Sequence, residues 1–313
     1  MPVSIAVLAK QVVDPEMPMA AFRIDADAKA VVPPPNIPPV VNGFDENAVE
    51  AALQIKDAQE AAVTVISTGT AFALDVMKKP LSMGADELVL LQDDAFPNSI
   101  DSFFTAQLLA AAIRKLGGFD LIICGRQASD WDNAQVPLGV AEILGLSCIA
   151  LGKKVEVKGD KVSVERITSD GYEVVEAPLP ALVTVSNELG QPRYPPLRGI
   201  MAATRKRPTI WGAADLGADP SQLDPRVTLQ ELFVPVRDQQ CEIIEGEDPA
   251  DAGRQLALKL REAKLIKLTA IGLQPSEFKT KLLTGLRNSI NNQYRRKHGG
   301  RIGRTGPGRF RRW

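Results

Sequence analysis

The feature that most constrains the fold is an alternation of short apolar runs with helical patterns over the first half of the chain. The runs are rich in Val, Ile and Leu, which is typical of strands buried on both faces of a parallel sheet. This order predicts an α/β domain with an open, mostly parallel sheet. The predicted strands are 3–9, 62–68, 87–92 and 120–125, and the predicted helices begin near 45, follow 70, and cover 101–116 and 133–144.

The pattern changes after residue 152. Residues 155–167 alternate apolar and polar side chains around Gly159 and Asp160, which predicts a β-hairpin. Two further strands, 171–179 and 180–185, predict an antiparallel extension of the same sheet or a small lobe beside it. Pro80 predicts that the helix after residue 70 ends near Lys79 or kinks there.

The segment 180–208 begins as a strand and then loses any regular pattern. Prolines at 192, 195 and 196 remove backbone donors and favour extended geometry. Apolar residues follow them, with Arg198, Arg205, Lys206 and Arg207 around them. Such a segment suits an exposed arm that docks on an acidic partner. From the residues alone, an ordinary surface loop is an equally good interpretation.

The composition excludes several classes of protein. Three scattered cysteines and the absence of a basic leader fit reduced thiols and a cytoplasmic location, and no apolar run is long enough to embed the chain in a membrane. The only histidine is His298, so Ser-His-Asp and Cys-His catalysis are not expected in the body of the chain. No Cys/His cluster indicates a metal site. A protein that binds a cofactor and moves electrons needs none of these groups.

Three predicted strands end in polar loops, and ligands of open parallel sheets bind beyond such ends. The loop after the fourth strand leads into a helix, whose first backbone N–H groups suit a phosphate. The chain has neither a dinucleotide fingerprint nor a P-loop. In a simpler interpretation, Asp130 and Asp132 only cap that helix, and Ser67 and Thr68 only form a turn.

Several short motifs resemble those of the electron transfer flavoprotein β subunit. N-G-F-D-E-N-A-V-E-A-A at 42–52 is similar to the family's N-P-F-x-E-x-A-V-E-E-A, and S-M-G-A-D at 82–86 is similar to A-M-G-A-D. G-R-Q-A-S-D at 125–130 is similar to G-[KR]-Q-A-x-D, and Q-P-R-Y with the following L-R-G-I-M-A-A is similar to the signature region. The resemblance extends from about residue 3 to about residue 264.

The resemblance implies an adenine-nucleotide alpha-hydrolase-like sheet whose loops bind an adenine nucleotide, and one wall of an FAD site shared with an α subunit. It implies an electron carrier subunit rather than an enzyme. Candidate cofactor-binding residues are Ala9, Lys10, Asn42, Phe44, Ser67, Thr68, Gly125, Arg126, Gln127, Asp130, Asp132, Asn133, Ala134, Gln135 and Val136.

The nucleotide is either AMP or a second FAD. Non-bifurcating members hold AMP with an N-Q-T run, whereas bifurcating members hold a second FAD and read D-G-D-T-A-Q-V-G-P. This chain reads D-W-D-N-A-Q-V-P at 130–137, which is closer to the second pattern. Trp131 stands where that pattern has glycine, and Asn133 where it has threonine. The sequence therefore favours FAD slightly and leaves AMP open.

The resemblance also implies a recognition loop whose leucine, Leu197 by position, inserts into a partner dehydrogenase. Candidate partner-binding residues are Tyr194, Leu197, Ile200 and Met201. Electrons would pass from flavin-dependent dehydrogenases to a quinone reductase or ferredoxin. The alternative is a stand-alone adenine-nucleotide-binding module without flavin, which would have no use for the hairpin region or the arm.

The charge is divided between the body and the tail of the chain. Residues 267–313 hold twelve of the 37 Lys and Arg and one acid, Glu277, so the tail carries +11 and the rest −12. The tail is expected to be disordered; nucleic-acid affinity is a weaker alternative, and DNA is not an expected partner. The predicted division is 1–208 for the nucleotide-binding domain, 209–266 for a C-terminal arm and helix, and 267–313 for the tail. Within the arm, a strand is predicted at 232–236 and a helix at 248–266, capped by Asp248.

Overall fold

The computed structural model describes residues 2–94, 96, 100–217, 226–235 and 241–266. The basic tail and its predicted disorder lie outside the described residues. The contacts divide the chain into two units, Met1–Pro235 and Val236–Trp313. The three-part division at 208 and 266 stays a prediction. In the described part of the chain, no helix has the length and apolar character needed to cross a bilayer.

The first unit alternates strands and helices along the chain. Its strands are β1 (Val3–Leu8), β2 (Gln11–Val12), β3 (Arg23–Asp25), β4 (Ala30–Val32), β5 (Val40–Val41), β6 (Ala61–Gly69), β7 (Glu87–Gln92), β8 (Leu121–Gly125), β9 (Ser147–Lys158), β10 (Lys161–Thr168), β11 (Gly171–Pro178), β12 (Ala181–Val185) and β13 (Thr209–Trp211). Its helices are α1 (Gly43–Ala58), α2 (Leu74–Met77), α3 (Lys79–Met83), α4 (Ser102–Lys115), α5 (Val136–Leu144) and α6 (Leu197–Arg205), with 3-10 turns at Met19–Ala21, Asn187–Leu189 and Ala214–Leu216.

Among the residues that the structure describes, nine strands form one sheet in the order β11-β10-β9-β12-β8-β1-β6-β7-β13. The seven strands from β9 to β13 in this order are parallel, while β10 and β11 add an antiparallel edge. The predicted open, mostly parallel α/β sheet is therefore confirmed. The hairpin at Gly159 and Asp160 is also confirmed, and it extends the main sheet rather than forming a separate lobe.

Successive strand residues face two apolar layers, as the pleat of a strand requires. On one face, Val7 and Val65 pack with α1, α2 and α3. On the other, Leu8 and Ile66 pack with α4 and α5. This burial on both faces is why the central strands read as continuous apolar runs. It also leaves the carboxyl ends of the parallel strands free to carry loops along one edge.

Of the two alternatives predicted at Pro80, the structure shows the first, a helix that ends near Lys79: α2 ends at Met77, and Pro80 lies in the first turn of a second helix, α3. Proline suits that position because the first N–H groups of a helix have no intrahelical partner. Helix α5 begins at Val136 rather than 133, so the loop before it is longer than predicted.

The segment after β12 was wrongly expected to be irregular. It contains a 3-10 turn at Asn187–Leu189 and a nine-residue helix, α6, which begins directly after Pro196. The prolines precede the helix, so they constrain its entry without removing any of its internal hydrogen bonds. Residues 232–235 form no strand, contrary to prediction, and residue 236 lies outside the described part.

In the second unit, the described residues contain α7 (Pro249–Glu262). The carboxylate of Asp248 accepts a hydrogen bond from the backbone N–H of Asp251 at 2.8 Å. The predicted cap and helix are confirmed, with the helix ending four residues before the predicted end.

Candidate nucleotide-binding site

A cavity lies where β1, β6 and β8 end and where α1, α4 and α5 begin. Counted with the open solvent in its mouth, it has a volume of about 750 Å³. Its position beyond the carboxyl ends of parallel strands is the one expected for an open α/β sheet. It is lined by Leu8, Ala9, Lys10, Asp45, Ile66, Thr68, Ser102, Thr105, Leu109, Cys124, Gly125, Gln127, Ala128, Trp131, Asn133, Ala134, Gln135, Val136 and Pro137.

Asp45, in the first turn of α1, joins the ends of two strands. Its carboxylate accepts hydrogen bonds from the backbone N–H of Lys10 at 2.8 Å and of Gly125 at 3.1 Å. Burial raises the pKa of Asp45 to about 7, although these hydrogen bonds and the charge of Lys10 lower it. The carboxylate therefore fixes β1, β8 and α1 relative to one another at the floor of the cavity.

Asn42, the residue before α1, joins that helix to the loop after β8. It is fully buried, and its Nδ2 donates to the carbonyl of Gln127 at 2.8 Å. Its Oδ1 accepts from the backbone N–H of Ser129 at 3.2 Å. No side-chain cap is formed for α1. Asn42 thus supports the wall of the cavity rather than the start of its own helix.

Residues 126–135, here called the pocket loop, form that wall. Gln127 Nε2 donates to Asp132 at 2.8 Å, and the Lys10 Nζ pairs with Asp130 at 2.6 Å. Asp132 and Ala134 have φ of 51° and 54°. Non-glycine residues adopt this left-handed conformation at a cost of about 1–2 kcal/mol each. The surrounding hydrogen bonds therefore hold the loop in a shape that the backbone does not prefer.

The cavity offers groups that suit a bound anion. Lys10 is the only cation among its described lining residues, and the start of α5 has no side-chain cap, which leaves N–H groups for an anion. Burial raises the pKa of the Cys124 thiol well above its usual range, so it is not a thiolate nucleophile. In the described part of the chain, no group of three or more His, Cys, Asp or Glu could hold a metal.

Comparison with known proteins decides the family. The model of the electron transfer flavoprotein domain matches residues 36–216, which is more than half of the chain. The chain belongs to the electron transfer flavoprotein β-subunit family. As a member, it is an electron-transfer subunit. The matched region contains every predicted site residue apart from Ala9 and Lys10.

Two of the similar proteins are named as electron transfer flavoprotein β subunits, and a third is named as a subunit of an Etf complex. The electron transfer flavoprotein subunit beta of Thermoanaerobacterium thermosaccharolyticum is 41% identical over 70% of this chain and 82% of its own. That of Megasphaera elsdenii is 37% identical over 78% of this chain and 92% of its own. The caffeyl-CoA reductase–Etf complex subunit CarD of Acetobacterium woodii is 35% identical over 84% of this chain and 99% of its own.

Most of the predicted cofactor residues of this β subunit surround one cavity. Those that line it are Ala9, Lys10, Thr68, Gly125, Gln127, Asn133, Ala134, Gln135 and Val136. Asn42, Asp130 and Asp132 lie behind the lining and fix the loop through the contacts above. Neither Asp130 nor Asp132 caps α5, which begins after Gln135.

Three predicted residues lie further from the lining. Arg126 stacks over the ring of Phe44 at 5.5 Å, and neither side chain lines the cavity. Ser67 is fully buried and its hydroxyl has no hydrogen-bond partner. Their roles in cofactor binding stay predictions.

Some residues that line the cavity are not among the candidates predicted from the sequence. Ser102 and Thr105 come from the start of α4, and no sequence motif connects that helix with the nucleotide loops. Asp45 follows Phe44 in the motif at 42–52, and its position after Asn42 at the start of a helix was the available signal. Trp131 faces the same cavity, although it departs from the family pattern.

A second cavity adjoins the first. Its volume, including open solvent, is about 610 Å³, and it shares Lys10, Thr68 and Thr105 with the first cavity. Aromatic residues supply much of its apolar wall. Its remaining lining residues are Gln11, Gly69, Thr70, Ala71, Phe72, Phe96, Phe104 and Leu108.

The predicted partner-binding residues also cluster, on and just before α6. The exposed fractions are 90% for Tyr194, 75% for Leu197, 43% for Ile200 and 55% for Met201. Ala203 on the same helix is buried. The exposed face therefore combines apolar side chains on a helix that is anchored on its other side, a form typical of docking surfaces.

Proposed function

We propose that this β subunit binds an adenine nucleotide in the cavity at the ends of β1, β6 and β8. The pocket loop is the observation that carries the proposal. Two non-glycine residues in left-handed conformation, Asp132 and Ala134, stand beside the uncapped start of α5. Strain of this kind collects at ligand sites, where bound groups and rigid surroundings stabilise it.

The chemistry of the cavity suits the parts of an adenine nucleotide. Lys10 and the first N–H groups of α5 would hold the phosphates. Trp131 and the apolar lining at Leu8 and Ile66 would contact the base. The carboxyl of Asp45, at the floor of the cavity, is neutral when protonated. With a pKa of about 7, it would be neutral in a large share of the protein molecules near pH 7 and would not repel a phosphate.

We propose FAD rather than AMP as the nucleotide. The adjoining cavity shares Lys10, Thr68 and Thr105 with the first, and its aromatic wall suits a further ring system, which FAD has and AMP lacks. The D-W-D-N-A-Q-V-P sequence favours the same ligand. A second FAD would make this subunit part of an electron-bifurcating complex, as the caffeyl-CoA reductase–Etf name of one relative also suggests.

We further propose that the chain functions as a heterodimer with an electron transfer flavoprotein α subunit. The main FAD would then be shared between the two subunits, with this chain supplying one wall. The exposed apolar side chains of α6, Leu197 foremost, would dock a flavin-dependent dehydrogenase. Electrons would leave for a quinone reductase or ferredoxin. In this scheme the chain positions cofactors and makes no bonds.

Nucleotide analysis of the purified complex tests the proposal. The chain should be co-expressed with its α subunit, the complex denatured, and the released nucleotides identified and counted by mass spectrometry. The expected result is two FAD per αβ complex. One FAD with one AMP would retain the adenine-nucleotide site and reject the second flavin.

A variant of the cavity separates this site from the shared flavin. Lys10→Ala should lower the content of one nucleotide per complex and leave the other in place, because both cavities that Lys10 lines are proposed to hold the same nucleotide. A complex without adenine nucleotide in this cavity would overturn the proposal. A homo-oligomer that binds AMP without flavin would instead favour the stand-alone module.

A further inference from the structure

The segment that leads from β12 into α6 is fastened to the side of α1 by one arginine. Arg193 Nε donates to Glu50 Oε2 at 2.8 Å, and Nη2 donates to Glu50 Oε1 at 3.1 Å. The backbone N–H of Arg193 donates to Glu50 Oε2 at 2.9 Å, and Nη2 also donates to Asp57 Oδ2 at 2.7 Å. Four hydrogen bonds from one residue thus hold a proline-rich segment on a helix. A two-pronged guanidinium–carboxylate contact of this kind also fixes orientation, which a single charge does not.

Glu50 depends on this contact. It lies in the middle of α1 and is only 6% exposed. Burial raises the pKa of Glu50, but the hydrogen bonds and charge of Arg193 outweigh it and hold the pKa below its usual value. A buried carboxylate without such a partner is costly, so the pair is maintained as a unit. Asn47, on the same helix, donates to the carbonyl of Gly190 at 2.7 Å and holds the start of the segment.

Helix α6 itself packs against α3. A β-carbon at Gly199 would lie 2.3 Å from the carbonyl oxygen of Ser82, so the two backbones are in direct contact. Lys78 Nζ donates to the carbonyl of Thr204 at 3.2 Å. Helix α6 is therefore held before its first turn by the hydrogen bonds of Arg193, and within the helix by the close backbone contact at Gly199.

We propose that Arg193 is a positioning residue for partner docking, because it sets the direction in which α6 presents Leu197, Ile200 and Met201. The inference rests on the proposed docking role of α6. A docking face that is already ordered loses less conformational entropy on binding, and so binds more tightly than a flexible arm with the same side chains. The prolines at 195 and 196 transmit the orientation, since they stiffen the link between Arg193 and the helix.

The charges around α6 divide accordingly. The side chains of Arg198, Arg205 and Arg207 are exposed and make no ion pair or hydrogen bond within the described ranges. Arg193 is committed to Glu50 and Asp57. The partner would therefore meet the three free arginines as a basic rim and would not contact the guanidinium of Arg193.

Amide hydrogen exchange on the αβ complex tests the positioning role. In Arg193→Ala, the amides of α6 should exchange about tenfold faster or more, while those of β1, β6 and β8 stay within about twofold. Arg193→Lys should give a smaller increase in the exchange rate, since the lysine ammonium can pair with Glu50 but cannot make the two-pronged contact of a guanidinium. Arg166→Ala is the matched control, because it removes an arginine from an exposed pair with Glu173. Uniform acceleration across the chain, or none in α6, would overturn the inference.

Electron-transfer kinetics separate positioning from loss of structure. A flavin-dependent dehydrogenase that reduces the wild-type complex is used as the varied substrate. Arg193→Ala should raise the KM for the dehydrogenase about tenfold, with kcat within about twofold of wild type and flavin content unchanged. Arg193→Lys should have a KM between those of wild type and Arg193→Ala. A fall in kcat together with flavin loss would contradict the positioning role. If no dehydrogenase reduces the wild-type complex, the docking proposal fails, while hydrogen exchange still reports whether Arg193 orders α6.

Discussion

The pocket loop and the segment 186–205 begin at the same place and fold in opposite ways. They follow the parallel neighbours β8 and β12, and the backbone N–H of Arg126 donates to the carbonyl of Val185 at 2.8 Å. The pocket loop stays irregular for ten residues and curves around a cavity. The other segment enters a helix that presents apolar side chains to solvent. From one edge of the sheet, the chain thus builds a concave surface and a convex one.

The difference lies in what holds each segment. The pocket loop is fixed by individual polar contacts that are local to the cavity, above all those of Asn42 and the ion pair of Lys10 with Asp130. The segment 186–205 is fixed by helix formation and by the contacts of Arg193 and Gly199 with α1 and α3. Disturbing the first should therefore affect nucleotide content, and disturbing the second should affect docking. The predictions below test this separation.

The largest effect on stability is expected from pH at Asp45. Its pKa is about 7 in the folded protein against about 3.8 when unfolded, so the folded state binds the proton more tightly. The contribution of Asp45 to the free energy of unfolding is complete below pH about 4 and falls by about 4 kcal/mol as the pH rises to 7. Denaturant unfolding of wild type and Asp45→Asn across pH 4–8 should show this fall only in wild type. Parallel curves would contradict it.

Gly125→Ala should be the next most disruptive change. The added β-carbon would lie 2.3 Å from Asp45 Oδ1 and 2.7 Å from the backbone of Phe44. We expect the free energy of unfolding to fall by about 3 kcal/mol. We also expect the variant to lose the nucleotide bound in the cavity. Gly43→Ala is the control, since its β-carbon would meet nothing within 4 Å. Equal behaviour of the two variants in thermal unfolding and nucleotide content would show that the close approach is unimportant.

Gly199→Ala should act on the convex side only. The clash with the carbonyl of Ser82 should push α6 from α3 and cost about 2 kcal/mol. Nucleotide content should remain that of wild type, because no cavity residue is touched. Gly253→Ala, in α7, has no neighbour within 4 Å and serves as the helical control. Loss of nucleotide in Gly199→Ala would show that the two surfaces are not separate.

Leu197→Ala should have the smallest effect on stability. Its side chain is exposed, so the free energy of unfolding should change by less than about 0.5 kcal/mol. Electron transfer at limiting dehydrogenase should fall about tenfold if Leu197 is an anchor of the docking face. Leu138→Ala, another exposed leucine, should leave the rate unchanged. Flavin content should be unchanged in both.

The sequence predicted the elements whose signals are local and repeated. Apolar strands, the period-two hairpin and the Asp248 cap were found because each is fixed by its own residues. The order of strands in the sheet was not predicted, since it depends on contacts between distant segments. The sequence does not predict helix α6, because the prolines before it indicate extended backbone. Proline disfavours helix at and before its own position, but a helix can begin directly after it.

The candidate site was predicted to a similar extent. Loops at strand ends converge by geometry, so Lys10, Thr68 and Gln127 were placed together. The longer pocket loop was not foreseen, because Asp132 and Ala134 adopt a backbone conformation that neither residue type favours. Ser102 was missed because only the three-dimensional contact of α4 with the pocket loop, through Asn133 at 3.3 Å, brings it to the cavity.

The edge of the sheet at β13 has a consequence for synthesis of the chain. β7 and β13 pair in parallel, Thr209 beside Val89, although about 120 residues separate them. While the ribosome makes the intervening chain, the open side of β7 lacks its neighbour, and exposed strand edges of this kind promote association with other chains. Three residues, Thr209–Trp211, later close that edge. A truncation before residue 209 should therefore retain the cavity but yield more aggregated material on expression than the full chain.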